Sequence, residues 1–94
     1  GEIVGTVTEG PSPAAGTRVF AVDSAGRGER AVQVDPAGAF RIAGVEVGNY
    51  LLLFLDQRGV NATEFYDDAV DPTFADLVVV TAGVTTTADA DLQP

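Results

Sequence analysis

The chain has 94 residues, a hydrophobic fraction of 46% and a formal net charge of −9. This length corresponds to one domain, and this hydrophobic fraction excludes a disordered tail. The acidity argues against a nucleic-acid partner, and no apolar run reaches the ~20 residues that a membrane-spanning helix needs, so direct membrane insertion is not expected. We expect one domain over residues 1–94, and because the chain opens Gly1-Glu2-Ile3 we expect it to be excised from a larger protein.

Several residue types that enzymes and metal sites depend on are missing from the sequence. It contains no Cys, no His and no Lys. Disulfides, thiolate ligands, a Ser-His-Asp triad and a His-ligated zinc hydrolase are therefore excluded. Ser12 and Ser24 lie in predicted turns with no base to activate them. We therefore expect no enzymatic activity, no cofactor and no metal.

Helical periodicity is absent from the chain, whereas strand patterns recur between Gly- and Pro-rich turns. The predicted strands are 3–7, 17–23, 29–34, 39–42, 49–56, a weaker 60–66, 77–81 and 84–92. In the last of these, the even-numbered residues from Val84 to Leu92 are predicted to face the core. Seven or eight short strands with turns every 8–12 residues predict an all-β, antiparallel β-sandwich.

The region from Asp35 to Tyr50 has the clearest local pattern of the chain. Pro36 presets φ for a turn, and Gly38 is suited to a positive φ. Phe40 and Ile42 are two residues apart, so a strand places both side chains on one face. This pattern predicts a turn followed by a strand with a buried side.

Together these segments resemble the bacterial carboxypeptidase regulatory-like and collagen-adhesin B-type modules. The matching segments are Ile3–Val7, Gly16–Val19, Asp35-x-x-Gly38-x-Phe40, Gly48-x-Tyr50 and Ala82–Leu92. The resemblance implies a transthyretin-like (prealbumin-like), Greek-key sandwich of seven or eight strands. It also implies a spacer, stalk or adhesion domain in a secreted or cell-surface bacterial protein, or a carbohydrate- or protein-binding accessory module beside an enzyme domain.

The chemistry known in proteins of this fold is excluded by the composition. Collagen-adhesin B-type modules often form an isopeptide bond from a Lys, and this chain has no Lys. Hydroxyisourate hydrolases and intradiol dioxygenases depend on His, which is also absent. The resemblance therefore predicts a structural or adhesion function without catalysis, with neighbouring domains, a second copy, carbohydrate or another surface protein as partners.

One acidic group stands out near the C-terminal third, formed by Glu64, Asp67, Asp68, Asp71 and Asp76. A carboxylate pair could perform acid–base catalysis, and carboxylate oxygens are the ligands that Ca²⁺ prefers. The spacing does not fit an EF-hand, and a solvated loop explains the pattern more simply. Whether the segment 67–76 binds calcium stays open at this point.

Aromatic residues border the same segment. Phe65, Tyr66 and Phe74 could form a stacking platform for carbohydrate, with core packing as the alternative. The adjacent Asn61-Ala62-Thr63 has the pattern of an N-glycosylation acceptor, which also occurs by chance.

The strand 49–56 carries more apolar residues than one buried face requires. If Tyr50, Leu52 and Phe54 face the core, the residues between them face outward. Those residues are Leu51, Leu53 and Leu55, and the strand 17–23 adds Phe20 and Val22 in the same way. Contiguous outward apolar residues indicate an interaction surface or a covered face. We predict that this face packs on a neighbouring domain or a second copy, with coverage by the segment 67–76 as the alternative.

Overall fold

The computed structural model describes residues 1–26, 28–59, 61–66 and 76–92, and these residues form an all-β structure. The strands are β1 (Glu2–Glu9), β2 (Ser12–Pro13), β3 (Thr17–Asp23), β4 (Glu29–Gln33), β5 (Ala39–Ile42), β6 (Gly48–Asp56), β7 (Glu64–Phe65), β8 (Val78–Val80), β9 (Thr85–Thr87) and β10 (Ala90–Asp91). Among the described residues, no helix has the length and apolar character that crossing a membrane requires.

The first sheet is built around β1. On one edge β1 pairs antiparallel with β5 and, near its end, with β2. On the other edge it pairs in parallel with β9 and then with β10. The first and last strands of the described chain are therefore hydrogen-bonded neighbours.

The edge formed by β9 and β10 is interrupted where it passes Gly5. The Ala88 amide donates to the Val4 carbonyl at 2.8 Å, and the Thr6 amide donates to Asp89 Oδ1 at 2.9 Å. A Cβ built on Gly5 would lie only 2.0 Å from the Ala88 carbonyl oxygen. The close approach of the two backbones thus requires glycine at this position, and a carboxylate replaces one backbone acceptor in the ladder.

The second sheet is antiparallel and has the order β4-β3-β6. The far edge of β6 pairs with β8 near its start and with β7 near its end. β3 and β6 are paired over seven residues, from Thr17 opposite Asp56 to Asp23 opposite Tyr50. This long pair forms the centre of the sheet.

The turn before β5 has the geometry that its sequence predicts. Asp35 Oδ1 accepts hydrogen bonds from the amides of Ala37 and Ala39, both at 2.9 Å. Gly38 has a φ of +86° and donates its amide to the Asp35 carbonyl at 2.9 Å. Its Cα also approaches the first sheet, since a Cβ there would lie 2.7 Å from the Val7 carbonyl oxygen.

One apolar core lies between the inner faces of the two sheets. Ile3, Val7 and Ile42 contribute from the first sheet, and Val19 and Leu52 from the second, all with no exposed surface. The rings of Phe40 and Phe54 meet edge to face with centroids 6.0 Å apart and join the sheets at their middle. Two sheets that share one core are compatible with the predicted β-sandwich.

The structure confirms the all-β fold and differs from the sequence prediction in detail. The described residues hold ten strands rather than seven or eight, because Ser12–Pro13 pairs with β1 and the predicted strand 84–92 divides into β9 and β10. The pairing of β1 with β9 and β10 is parallel, not antiparallel. Ala88, Ala90 and Leu92 are buried as predicted, whereas Val84 is half exposed.

Candidate interaction face

The outer side of the second sheet carries a continuous group of apolar side chains, which we call the outer face. Strand alternation turns every second residue away from the core, and directly paired residues share a side. The outer face consists of Arg18, Phe20 and Val22 on β3; Glu29, Ala31 and Gln33 on β4; Asn49, Leu51, Leu53 and Leu55 on β6; Phe65 on β7; and Val79 on β8.

The middle of the outer face is a row of four apolar residues across four strands. Phe20 pairs with Ala31 on one side and with Leu53 on the other, and Leu53 in turn pairs with Phe65. All four side chains are half-buried within the single chain. Cross-strand contacts of this kind shield the neighbouring side chains from water while leaving their tips accessible.

The margins of the outer face are more exposed and partly polar. Leu55 is 36% exposed and Val79 is 57% exposed. At one end the Arg18 guanidinium lies 5.7 Å from the centroid of the Phe20 ring, within the range of a cation–π contact. At the other end, the exposed Glu29 pairs with Val22. An apolar centre with a polar rim is typical of protein interaction surfaces.

The predicted interface residues lie together on this face. Leu51 and Leu53 are half-buried and Leu55 is at its edge, while Tyr50, Leu52 and Phe54 are buried in the core. The alternation predicted from sequence for β6 is therefore present in the structure.

Of the predicted ligand contacts, Phe65 and Tyr66 lie among the described residues. Phe65 belongs to the outer face, whereas Tyr66 packs against the core cluster and its amide donates to the Leu52 carbonyl at 3.0 Å. Phe74 lies outside the described residues, as do Asp67, Asp68 and Asp71 of the acidic segment. The platform proposed for Phe65 and Tyr66 is thus divided between two sides of the sheet.

A polar cluster, which the sequence did not predict, joins the end of β1 to the loop after β6. We call it the Asp56 cluster. It consists of Glu9, Asp56, Arg58 and Asn61. Asp56 is 4% exposed, and its carboxylate accepts from the amide and Nε of Arg58 at 2.9 and 3.0 Å and from the amide and Nδ2 of Asn61, both at 2.9 Å. Glu9 accepts from Arg58 and from Asn61 Nδ2.

These contacts set the ionisation of the cluster. Burial raises the pKa of Asp56, but the hydrogen bonds that Arg58 and Asn61 donate outweigh burial and hold its pKa well below the usual range. Hydrogen bonds from Arg58 and then Asn61 likewise lower the pKa of Glu9. Both carboxylates are therefore stabilised as anions, which suits a structural role and opposes a role as a general base.

An open cavity of about 300 Å³ lies beside the start of β6. The residues that line it include Asp23, Glu29, Arg30, Glu46 and Tyr50. The Tyr50 hydroxyl donates to the Glu46 carbonyl at 2.7 Å, and Arg30 donates to the Ala43 carbonyl at 2.9 Å. In the part of the chain that the structure describes, no three His, Cys, Asp or Glu side chains are grouped to hold a metal ion.

Comparison of the chain with models of protein families found no match, and comparison with curated proteins found none either.

Proposed function

We propose that this domain is a non-catalytic structural module, a spacer or adhesion domain, of a larger secreted or cell-surface bacterial protein. The observation that carries the proposal is the outer face, where Phe20, Leu51, Leu53 and Phe65 form one apolar group on the solvent side of a sheet. A small acidic domain has no structural need for such residues on a wet face. The module is proposed to dock through this face.

We propose further that the sandwich is of the transthyretin-like, Greek-key type. The support is the resemblance of the segments around Asp35, Gly38 and Phe40, together with two sheets that share one core. A fold of this type serves many functions, so the functional proposal depends on the outer face and not on the fold.

The chemistry of the described side chains supports a non-catalytic role. The sequence supplies no His, Cys or Lys. The most buried carboxylate of the Asp56 cluster is fully engaged by Arg58 and Asn61 as an acceptor of hydrogen bonds. A general base needs a free lone pair directed at its substrate and a pKa near the working pH.

The test compares the isolated domain with the parent protein that contains it. In dilute solution, where the isolated domain is monomeric, Leu53→Lys is expected to lower the melting temperature of this domain more in the parent than in isolation, because the lysine disrupts docking only where a partner is present. Val84→Lys is the control for the introduced charge, since Val84 is 50% exposed and lies outside the outer face. Equal small shifts of the melting temperature in the isolated domain and in the parent protein would contradict the proposal.

The carbohydrate-binding alternative can be tested at one residue. Phe65 lies on the outer face and Tyr66 packs against the core, so Phe65→Ala separates glycan binding from stability better than a change at Tyr66. Glycan-array binding that Phe65→Ala abolishes at unchanged melting temperature would favour the accessory-module function.

A further inference from the structure

We infer that the occupant of the outer face is a second copy of this chain, packed face to face and antiparallel across a twofold axis. This inference rests on the proposed function, which assigns docking to the same face. Three features support it: the net charge of the face, the positions of its two charged residues, and the positions of its apolar residues relative to the axis.

The described residues of the outer face have no net charge, although the chain as a whole is strongly acidic. The chain has a net charge of −9, whereas the outer face, as far as the structure describes it, contains one cation, Arg18, and one anion, Glu29. Because these two charges cancel, the described face adds no net local repulsion to self-association.

The two charges lie at opposite ends of the face. Arg18 pairs with Gln33 and Leu55 at one end, while Glu29 pairs with Val22 at the other. Arg18 and Val22 are four positions apart on β3, so the two ends are about 13 Å apart. Within the described residues neither Arg18 nor Glu29 has an ion-pair partner. A twofold axis across the strands brings each Arg18 beside Glu29 of the second copy.

The same axis matches the apolar residues. The row of Phe20, Leu53 and Phe65 crosses the middle of the face, so each meets its own counterpart. Leu51 and Leu55 lie on either side of that row on β6 and exchange places. Two sheets packed in this way lie about 10 Å apart, the spacing at which leucine side chains interdigitate. Isologous contacts of this type close as a dimer.

The size of the face predicts a weak dimer. Four strands about 4.8 Å apart and some five residues long cover roughly 15 by 20 Å. This is about 300 Å² on each partner, less than the ~800 Å² that each partner buries in an interface of standard size. We expect a dissociation constant of roughly 10 µM to 1 mM. Because two molecules of charge −9 repel each other, we expect salt to strengthen association.

The first experiment is sedimentation equilibrium of the isolated domain from about 10 µM to about 2 mM, at about 0.05 and 0.5 M NaCl. The wild type is expected to dimerise reversibly, more strongly at the higher salt concentration. Leu53→Lys is expected to weaken association at least about tenfold, and Val84→Lys to leave it within about threefold of the wild type. Dimers that persist in Leu53→Lys would place the contact elsewhere and overturn the inference.

Charge reversal tests the antiparallel arrangement. Arg18→Glu and Glu29→Arg each place like charges together at two symmetric contacts, so each is expected to weaken self-association at least about tenfold. The double variant is expected to restore it. An equimolar mixture of the two single variants is expected to form a heterodimer, since every contact then joins opposite charges. If neither the double variant nor the mixture associates as strongly as the wild type, this geometry is excluded.

The outcomes separate this inference from the proposed function. A wild type that stays monomeric at about 2 mM excludes the second copy. The proposed function then still stands if Leu53→Lys destabilises the domain selectively within its parent protein. If Leu53→Lys unfolds the isolated domain in dilute solution, the face is covered within the domain itself and both proposals fail.

Discussion

At the scale of single residues, Gly5 fixes how closely the first and last strands approach. A Cβ at this position would meet the Ala88 carbonyl oxygen at 2.0 Å and the Phe40 ring at 2.8 Å. We expect Gly5→Ala to reduce the free energy of unfolding by at least about 2 kcal/mol, because backbone must move on one side and a core ring on the other. Urea unfolding measures the loss.

The control for Gly5 is a glycine with open space around it. A Cβ on Gly10 meets no atom within 4 Å, although its φ is +62°. Gly10→Ala is therefore expected to cost only about 1 kcal/mol, the strain of a left-handed alanine. A loss at Gly5 no greater than the loss at Gly10 would contradict the close-approach explanation.

Asn61 belongs to the N-x-T pattern of a glycosylation acceptor, and its side chain also forms hydrogen bonds in the Asp56 cluster. Its Nδ2 donates to both Asp56 and Glu9, and its amide donates to Asp56. We expect Asn61→Ala to lower the free energy of unfolding by about 1–3 kcal/mol, since the variant leaves a buried carboxylate short of a donor.

Thr63→Ala is the matched variant for Asn61. It removes the same N-x-T pattern but changes an exposed side chain outside the Asp56 cluster. Its effect on the melting temperature is expected to be within error of the wild type, and a loss equal to that of Asn61→Ala would mean that the cluster is not what the asparagine stabilises.

At the scale of elements, β6 has two sides that differ in burial. Leu52 has no exposed surface, whereas Leu53 is half-buried on the outer face. In dilute solution we expect Leu52→Ala to cost about 2–5 kcal/mol and Leu53→Ala about 1 kcal/mol or less. Urea unfolding of both variants measures the difference, and equal losses would show that the outer face is as enclosed as the core.

The sequence correctly predicts the bounds of strands that end at turns formed by neighbouring residues. β3 and β5 have the predicted bounds 17–23 and 39–42, and β6 begins one residue before the predicted 49. In each case an alternating apolar run ends at a turn formed by Gly, Asp or Pro, so the signal is contained in a few neighbouring residues. The outward position of Leu51 and Leu53 follows from the same alternation.

Features that depend on distant residues were not predictable in this way. The division of 84–92 into β9 and β10 occurs where Ala88 passes Gly5, and Asp89 accepts from the Thr6 amide across the sheet. The Asp56 cluster joins Glu9 to residues some fifty positions later. A single sequence contains no local signal for such partners, because the fold alone brings them together.

At the scale of the whole molecule, the Asp56 cluster couples stability to pH. Glu9 and Asp56 have lowered pKa values when folded, so their contribution is complete above the ordinary carboxyl pKa and is lost as the pH falls through the folded values. Acidification also relieves the repulsion of a chain of charge −9, which acts in the opposite direction.

A variant that keeps the net charge separates these two effects. Asn61→Ala leaves the overall repulsion unchanged and removes donors from both carboxylates. The difference in unfolding free energy between wild type and Asn61→Ala is expected to narrow from pH 7 toward about pH 3, measured by urea unfolding. A difference that stays constant over this range would show that ionised carboxylates are not what Asn61 stabilises.

The parallel pairing of β1 with β9 and β10 has a mechanical consequence. Both strands run in the same direction, so Gly1 and Leu92 lie at opposite ends of one hydrogen-bonded ladder. A force that pulls these two ends apart slides β1 against β9 and β10, and it loads their hydrogen bonds together instead of opening them one after another. Extension between these two ends therefore has to break the ladder as a unit.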